Sequence, residues 1–265
     1  MEEYQEYLKK EIMYESRHLF IYGRDNDYRT KFLQSLEEDY PLLLDSDKPI
    51  ALYIDSLGFP VIEEKTKDKS IINSMSREYL NFTIAAKILE KTLEIDENIT
   101  SQRLTKIIDT INLFKNKDYK EIQTVKELLK EFNNTREFYL NNYIDYANGL
   151  VSKIPINDIS IPFLQIEMFV SEYKRTMNIS SYFGLIFEKN NPIAISSTKA
   201  INSLIGSRIN KYMSIKVATD PSNWNTYYDL SGQLVEAIHD YGKIELDNSY
   251  KEYTKTLIKK CNIKE

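Results

Sequence analysis

Between His18 and Lys31 the chain places an apolar run, His18-Leu-Phe-Ile-Tyr22, before a glycine, a short polar turn and the basic-hydroxyl pair Arg29-Thr30. That order of residue types suits phosphate chemistry. A glycine lets the backbone close around an oxyanion, and the free N–H groups and dipole at the start of the next helix attract negative charge. A cation and a hydroxyl at that helix start then hold phosphate oxygens and a magnesium ion. Against the pattern G-x-x-x-x-G-K-[ST], residues Gly23-Arg24-Asp25-Asn26-Asp27-Tyr28-Arg29-Thr30 keep the first Gly and the Thr, with Tyr at the second Gly and Arg at the Lys.

Each replacement weakens the chemistry. Tyr28 adds a ring where the backbone has to approach a ligand closely. Arg29 keeps the charge, but a planar guanidinium is wider than an ammonium and follows bridging phosphate oxygens less well. Asp25 and Asp27 bring negative charge to a loop that has to attract phosphate. Thr30 remains as a magnesium-side hydroxyl. The same residues also read as a strand, an Asx-type turn and a helix start that hold no ligand.

Two strand-helix-strand units would position these groups. Residues 1 to 16 carry Tyr4, Tyr7, Leu8, Ile12 and Met13 at helical spacing, and His18 to Tyr22 reads as a short buried strand. Phe32, Leu33 and Leu36 give one face of a helix that ends before Pro41, and Pro49 to Asp55 reads as the second strand, closed by Gly58 and Pro60. Tyr182 to Glu188 is an apolar run ending in an acid, followed by a helix from Thr198 to about Arg208 and a strand from Met213 to Thr219. Such units imply a parallel sheet with right-handed crossovers. Between them, residues 66 to 148 are almost wholly helical in pattern, and a further helix spans Phe163 to Met177. A hairpin around Ser231-Gly232, a last strand from Tyr241 to Leu246 and a terminal helix complete the expected order. The expected fold class is α/β: a parallel sheet flanked by helices, with a large helical insertion over residues 66–178 inside one domain spanning 1–265.

Composition narrows the function classes. With 265 residues, 42% hydrophobic and 28% charged, the chain is long enough to bury a full core. Its net charge of −5 argues against a surface built wholly for nucleic acid, though a local basic patch stays open. One cysteine, Cys261, and two histidines, His18 and His239, leave no basis for a disulfide or a cysteine or histidine metal cluster. No apolar stretch approaches the roughly 20 residues of a spanning helix, and the acidic start is unlike a signal peptide, so a cytoplasmic location is expected. The 20 tyrosines accompany abundant Ile, Lys and Asn, which first suggests an AT-rich coding sequence.

The loop from Gly23 to Thr30, the acid-ended strand from Leu185 to Glu188, and the run from Lys199 to Arg208 leading into Ser214 to Thr219 together resemble the AAA+ branch of P-loop ATPases, within its origin-recognition-like bacterial group. The hairpin and His239-Asp240-Tyr241 are similar to that group's C-terminal region. The likeness covers roughly residues 15–60 and 180–247. It implies a P-loop NTPase-like sheet, with ATP and magnesium as the ligand of an intact site. By resemblance, Gly23, Arg29, Thr30 and Thr219 bind the nucleotide: Arg29 contacts phosphate, Thr30 faces the magnesium, and Thr219 senses phosphate. Glu188 prepares the attacking water, and Arg208 is presented to a neighbouring subunit. The family's strand ends in two acids; here Phe187 precedes Glu188, so one acid is missing, which should harm hydrolysis more than binding. Little chain remains after the last strand for a C-terminal helical lid.

Outside these motifs, His239-Asp240 pairs a base with an acid but lacks a nucleophile, and strand neighbours point to opposite faces. Asp45, Asp47 and Asp55 could cluster near the second strand, although loop carboxylates are usually solvated. Trp224 lies in an aromatic, polar segment suited to a contact surface. The expected function is that of a degenerate P-loop protein acting as a structural or regulatory partner, with a protein partner or self-association and weak or absent nucleotide binding. An active oligomeric ATPase and a nucleic-acid-associated factor are the alternatives.

Overall fold

The computed structural model describes residues 2–23, 26–43, 47–55, 58–62, 69–95, 103, 105–107, 122–154, 164–189, 191–207, 212–237 and 239–246. Helix α1 (Glu2–Tyr14) precedes β1 (His18–Tyr22), α2 (Asn26–Asp39) and β2 (Ile50–Ile54). Helices α3 (Lys69–Ile95), α4 (Val125–Ala147) and α5 (Ile166–Thr176) follow, then β3 (Phe183–Lys189), α6 (Ile195–Gly206), β4 (Met213–Thr219) and β5 (Tyr241–Glu245). The five strands form one sheet in the order β2-β3-β4-β1-β5, and every neighbouring pair is parallel.

Strands β1, β3 and β4 are buried along their whole length, which explains why they read as continuous apolar runs and not as alternating ones. Alternate side chains serve two separate cores. Leu19, Ile21, Ala51, Ile186 and Ala218 pack with α1 and α2, whereas Phe20, Leu52, Leu185, Phe187 and Val217 pack with α3 to α6. The segment expected as a helical insertion thus supplies helices whose apolar faces join the sheet's own core. Phe59 stacks on Tyr143 of α4 with ring centroids 4.2 Å apart, and Phe82 of α3 meets Phe132 of α4 edge-on at 5.4 Å. A capping box at Thr124 and Glu127 fixes where α4 begins.

The outer edge of β2 is closed by α2 and not left open to another strand. The Ala51 N–H donates to the Tyr40 carbonyl at 2.8 Å and the Tyr53 N–H to Glu37 Oε1 at 2.9 Å. Glu37 also pairs with Lys87 and Lys91 of α3, which ties the two helical layers together around that edge.

Several expected elements shift. Helix α6 starts at Ile195, three residues before Thr198, because Pro60 bridges Ile193 and the Ala194 N–H is held by the Phe59 carbonyl, so the chain turns directly into the helix. The expected hairpin is one antiparallel bridge, Tyr228 to Leu234, around Gly232 at φ +85°, and not a pair of sheet strands. His239 and Asp240 lie in the turn before β5. The terminal helix expected beyond β5, with Cys261, lies outside the described residues.

At the amino ends of the strands, His18 Nδ1 accepts the Ile215 N–H at 2.9 Å, which requires a neutral imidazole. Burial, with the Lys216 ammonium nearby, pushes His18 down to about 4 from its ordinary 6.5. The folded state therefore resists a proton that the unfolded chain accepts. The resulting stability is complete above pH 6.5 and is lost as pH falls toward 4, by about 3 kcal/mol at full protonation. Urea titrations from pH 7 to pH 4 should show this loss, and His18→Asn, whose amide oxygen can take the same N–H, should flatten it.

Candidate functional site

In a parallel sheet the carboxyl ends of the strands, where connections diverge to opposite faces, form the usual crevice for a ligand. Here β1 leads through α2 to the far edge strand β2, while its neighbour β4 continues past β1 to β5. Tyr22, Thr219 and Lys189 are in register at this end, and β4 lies between β1 and β3. Three segments that are far apart in sequence thus converge: the β1–α2 turn, the end of β3 and the end of β4.

The centre of the convergence is an internal ion pair. Arg29 is 0% exposed and the Glu188 side chain 1%, with Arg29 Nε 3.3 Å from Glu188 Oε1. Arg29 Nη1 also donates to the Gly23 carbonyl. Thr30 Oγ1 donates to Glu188 Oε1 at 2.8 Å, and Tyr53 Oη of β2 donates to Glu188 Oε2 at 2.5 Å. Both carboxylate oxygens therefore have donors, as a buried carboxylate needs. Burial, then the bond to Glu188, drives the Tyr53 phenol well above its usual range, so it stays a donor.

The other residues of the pattern point the same way. Asp27 is exposed in the first turn of α2, where a carboxylate complements the helix dipole and opposes a second anion. Tyr28 lies against Phe32 one turn further along α2, at 6.2 Å and 26°. Gly23 has Leu246 close by: an added Cβ would sit 3.3 Å from Leu246 Cδ1. Arg24 and Asp25 are outside the described residues, as is Arg208, expected as a finger to a neighbouring subunit.

Thr219 is fully buried, with Oγ1 bonded to the Asp220 carbonyl at 3.0 Å. It ends β4 on the sheet face opposite Glu188. Lys189, the last residue of β3, is also on that opposite face and 1% exposed; its Nζ donates to the Asn223 carbonyl at 2.5 Å and lies 5.1 Å from the Trp224 ring centroid. Trp224 is 5% exposed and meets Phe20 edge-on, so the residue expected at a contact surface is part of the core.

Two members of this arrangement escaped the sequence reading. Tyr53 completes Glu188, and the signal available was a phenol next to Asp55 at the end of a buried strand. Lys189 follows Glu188 directly, and a second charge at the end of an apolar run was the clue. Asp47 and Asp55 are exposed, Asp45 is outside the described residues, and His239 is exposed while Asp240 accepts the Glu236 N–H. Among the described residues no helix is long and apolar enough to cross a membrane.

Neither a family model nor a curated protein matches the sequence.

A magnesium nucleotide, the ligand implied by the resemblance, fits these residues poorly. The cation that would meet phosphate is turned inward and paired, the hydroxyl that would face magnesium is bonded to Glu188, and that carboxylate is fully engaged.

Proposed function

We propose that this chain is a degenerate P-loop, AAA+-like protein that works as a structural or regulatory interaction partner and not as an ATPase. One observation carries the reading: Arg29, at the position of the phosphate-contacting lysine, is buried against Glu188 and the Gly23 carbonyl. The protein's own guanidinium and carboxylate neutralise each other where a phosphate and a magnesium ion would otherwise be held.

The AAA+-like part of the reading is supported by the meeting of Thr30 and Glu188. They are 158 residues apart and both belong to segments chosen by resemblance. Both Glu188 oxygens are taken up by protein donors, which leaves the carboxylate poorly available to prepare an attacking water. Phosphoryl transfer without a positioned water has little left to drive it.

Purified protein is expected to hydrolyse ATP no faster than its Thr30→Ala and Glu188→Gln variants. A phosphate-release rate abolished by either substitution would instead establish the oligomeric ATPase reading.

A further inference from the structure

Past β4 the chain crosses the carboxyl ends of β3 and β4 as a 3-10 turn, Pro221–Asn223, followed by Trp224 to Tyr228. Few of its own backbone groups pair with one another. It is held instead by side chains: Asp220 Oδ1 accepts the Ser222 N–H at 2.8 Å, and Asn202 Nδ2 of α6 donates to the Thr226 and Tyr228 carbonyls at 3.0 and 2.9 Å. Ser203 Oγ, one residue along α6, accepts the Leu230 N–H at 3.0 Å. The attachment also leaves polar atoms unsatisfied. Thr198 Oγ1, Asn202 Oδ1 and Trp224 Nε1 are buried without a hydrogen-bond partner among the described residues, and they belong to this segment and to the α6 face beneath it.

We propose that Lys189 is a latch that holds the segment Asp220–Tyr228 down across the carboxyl ends of β3 and β4. Among the described residues its ammonium has two attachments, both to this segment: the Asn223 carbonyl and the face of the Trp224 indole. Glu188 leaves β3 on the other face and is engaged there by Thr30 and Tyr53, and Asp220 Oδ1 accepts from the N–H and hydroxyl of Ser222. Among the described residues, the phenols of Tyr22, Tyr227 and Tyr241 lie around Phe20, whose ring meets the indole edge-on. Burial lifts Tyr22 and Tyr241 above the ordinary tyrosine range. The latch is a positioning residue. It also fixes the turn that follows, on which Tyr228 and Leu234 are each 52% exposed as an apolar pair. This inference goes beyond the reading of the nucleotide site and stands whether or not nucleotide binds.

The test is hydrogen exchange on nucleotide-free protein, comparing wild type with Lys189→Met, which keeps the apolar stem and removes the charge. The amides of Asn223, Tyr228 and Leu230 should exchange about tenfold or more faster in the variant, with β1 and β4 unchanged, as expected for loss of one charge-assisted bond. Equal protection of those amides in the two proteins, or uniform acceleration that includes β1 and β4, would overturn the latch. A second measurement needs no variant. Trp224 is the chain's single tryptophan, and burial lowers Lys189 to about 8, so wild-type emission should change with a midpoint near pH 8. Emission that stays constant from about pH 6.5 to 9.5 would contradict the latch.

Discussion

Replacing Glu188 with Ala should lower the unfolding free energy by about 3–5 kcal/mol, because it removes one partner of a buried ion pair and leaves the other charge, on Arg29, in place. Arg29 is 0% exposed, and the Glu188 carboxylate is a buried acceptor of its guanidinium beside the Gly23 carbonyl. Thr30 and Tyr53 lose their bonds to Glu188 at the same time. The loss measures broken pairing and not the net worth of the ion pair, since moving both charges out of water offsets most of their attraction. The double variant Arg29→Met with Glu188→Leu removes both charges and roughly conserves volume, and it should recover most of the lost stability. Urea midpoints for the wild type, the two single variants and the double variant close a thermodynamic cycle. Additive losses would mean that Arg29 and Glu188 do not act as a pair, which would remove the physical basis for a self-filled site.

Phe59→Ala should cost about 3–5 kcal/mol as well, for a different reason. Phe59 is fully buried between Tyr143 of α4, stacked at 4.2 Å, and Tyr79 of α3, tilted at 5.1 Å. It lies just past the end of β2, and Tyr143 Oη returns a bond to the Pro60 carbonyl at 3.0 Å. Truncation opens a cavity where the strand layer meets the helices. If α3 and α4 belong to the sheet's cooperative core, far-UV circular dichroism, dominated by helices, and Trp224 fluorescence, local to β1 and β3, will lose stability together in one transition. Two transitions, with only the helical signal shifted, would show that residues 69–147 fold as a separate lobe.

The sequence was informative about elements and less so about their meeting. Strands β1 and β4 are bounded as expected, because apolar runs closed by Gly, Pro or Asp and buried on both faces have an unmistakable pattern. What the pattern lacks is the order across the sheet. The connection from β2 to β3 is 128 residues long, so nothing local says that Tyr53 and Glu188 will lie on adjacent strands. Direction of side chains was similarly hidden. Arg29 carried the expected charge, but whether a guanidinium reaches outward to phosphate or folds inward onto a carboxylate depends on a partner contributed by β3. Glu188 illustrates the same limit. Its place at the end of an apolar run was legible, whereas its donors Thr30 and Tyr53, brought by α2 and β2, were not. Trp224 looked like a contact residue among Asn and Ser, yet Lys189 and Phe20 cover its two sides.

The central claim is that the protein's own ion pair takes the place of a nucleotide, and calorimetry tests it most directly. ATP and ADP, each with and without magnesium, would be titrated into the wild type and into Arg29→Ala. The account predicts no saturable heat from the wild type at millimolar nucleotide. Saturable, magnesium-dependent binding by the wild type that disappears in Arg29→Ala would show that Arg29 does reach phosphate and would contradict the account.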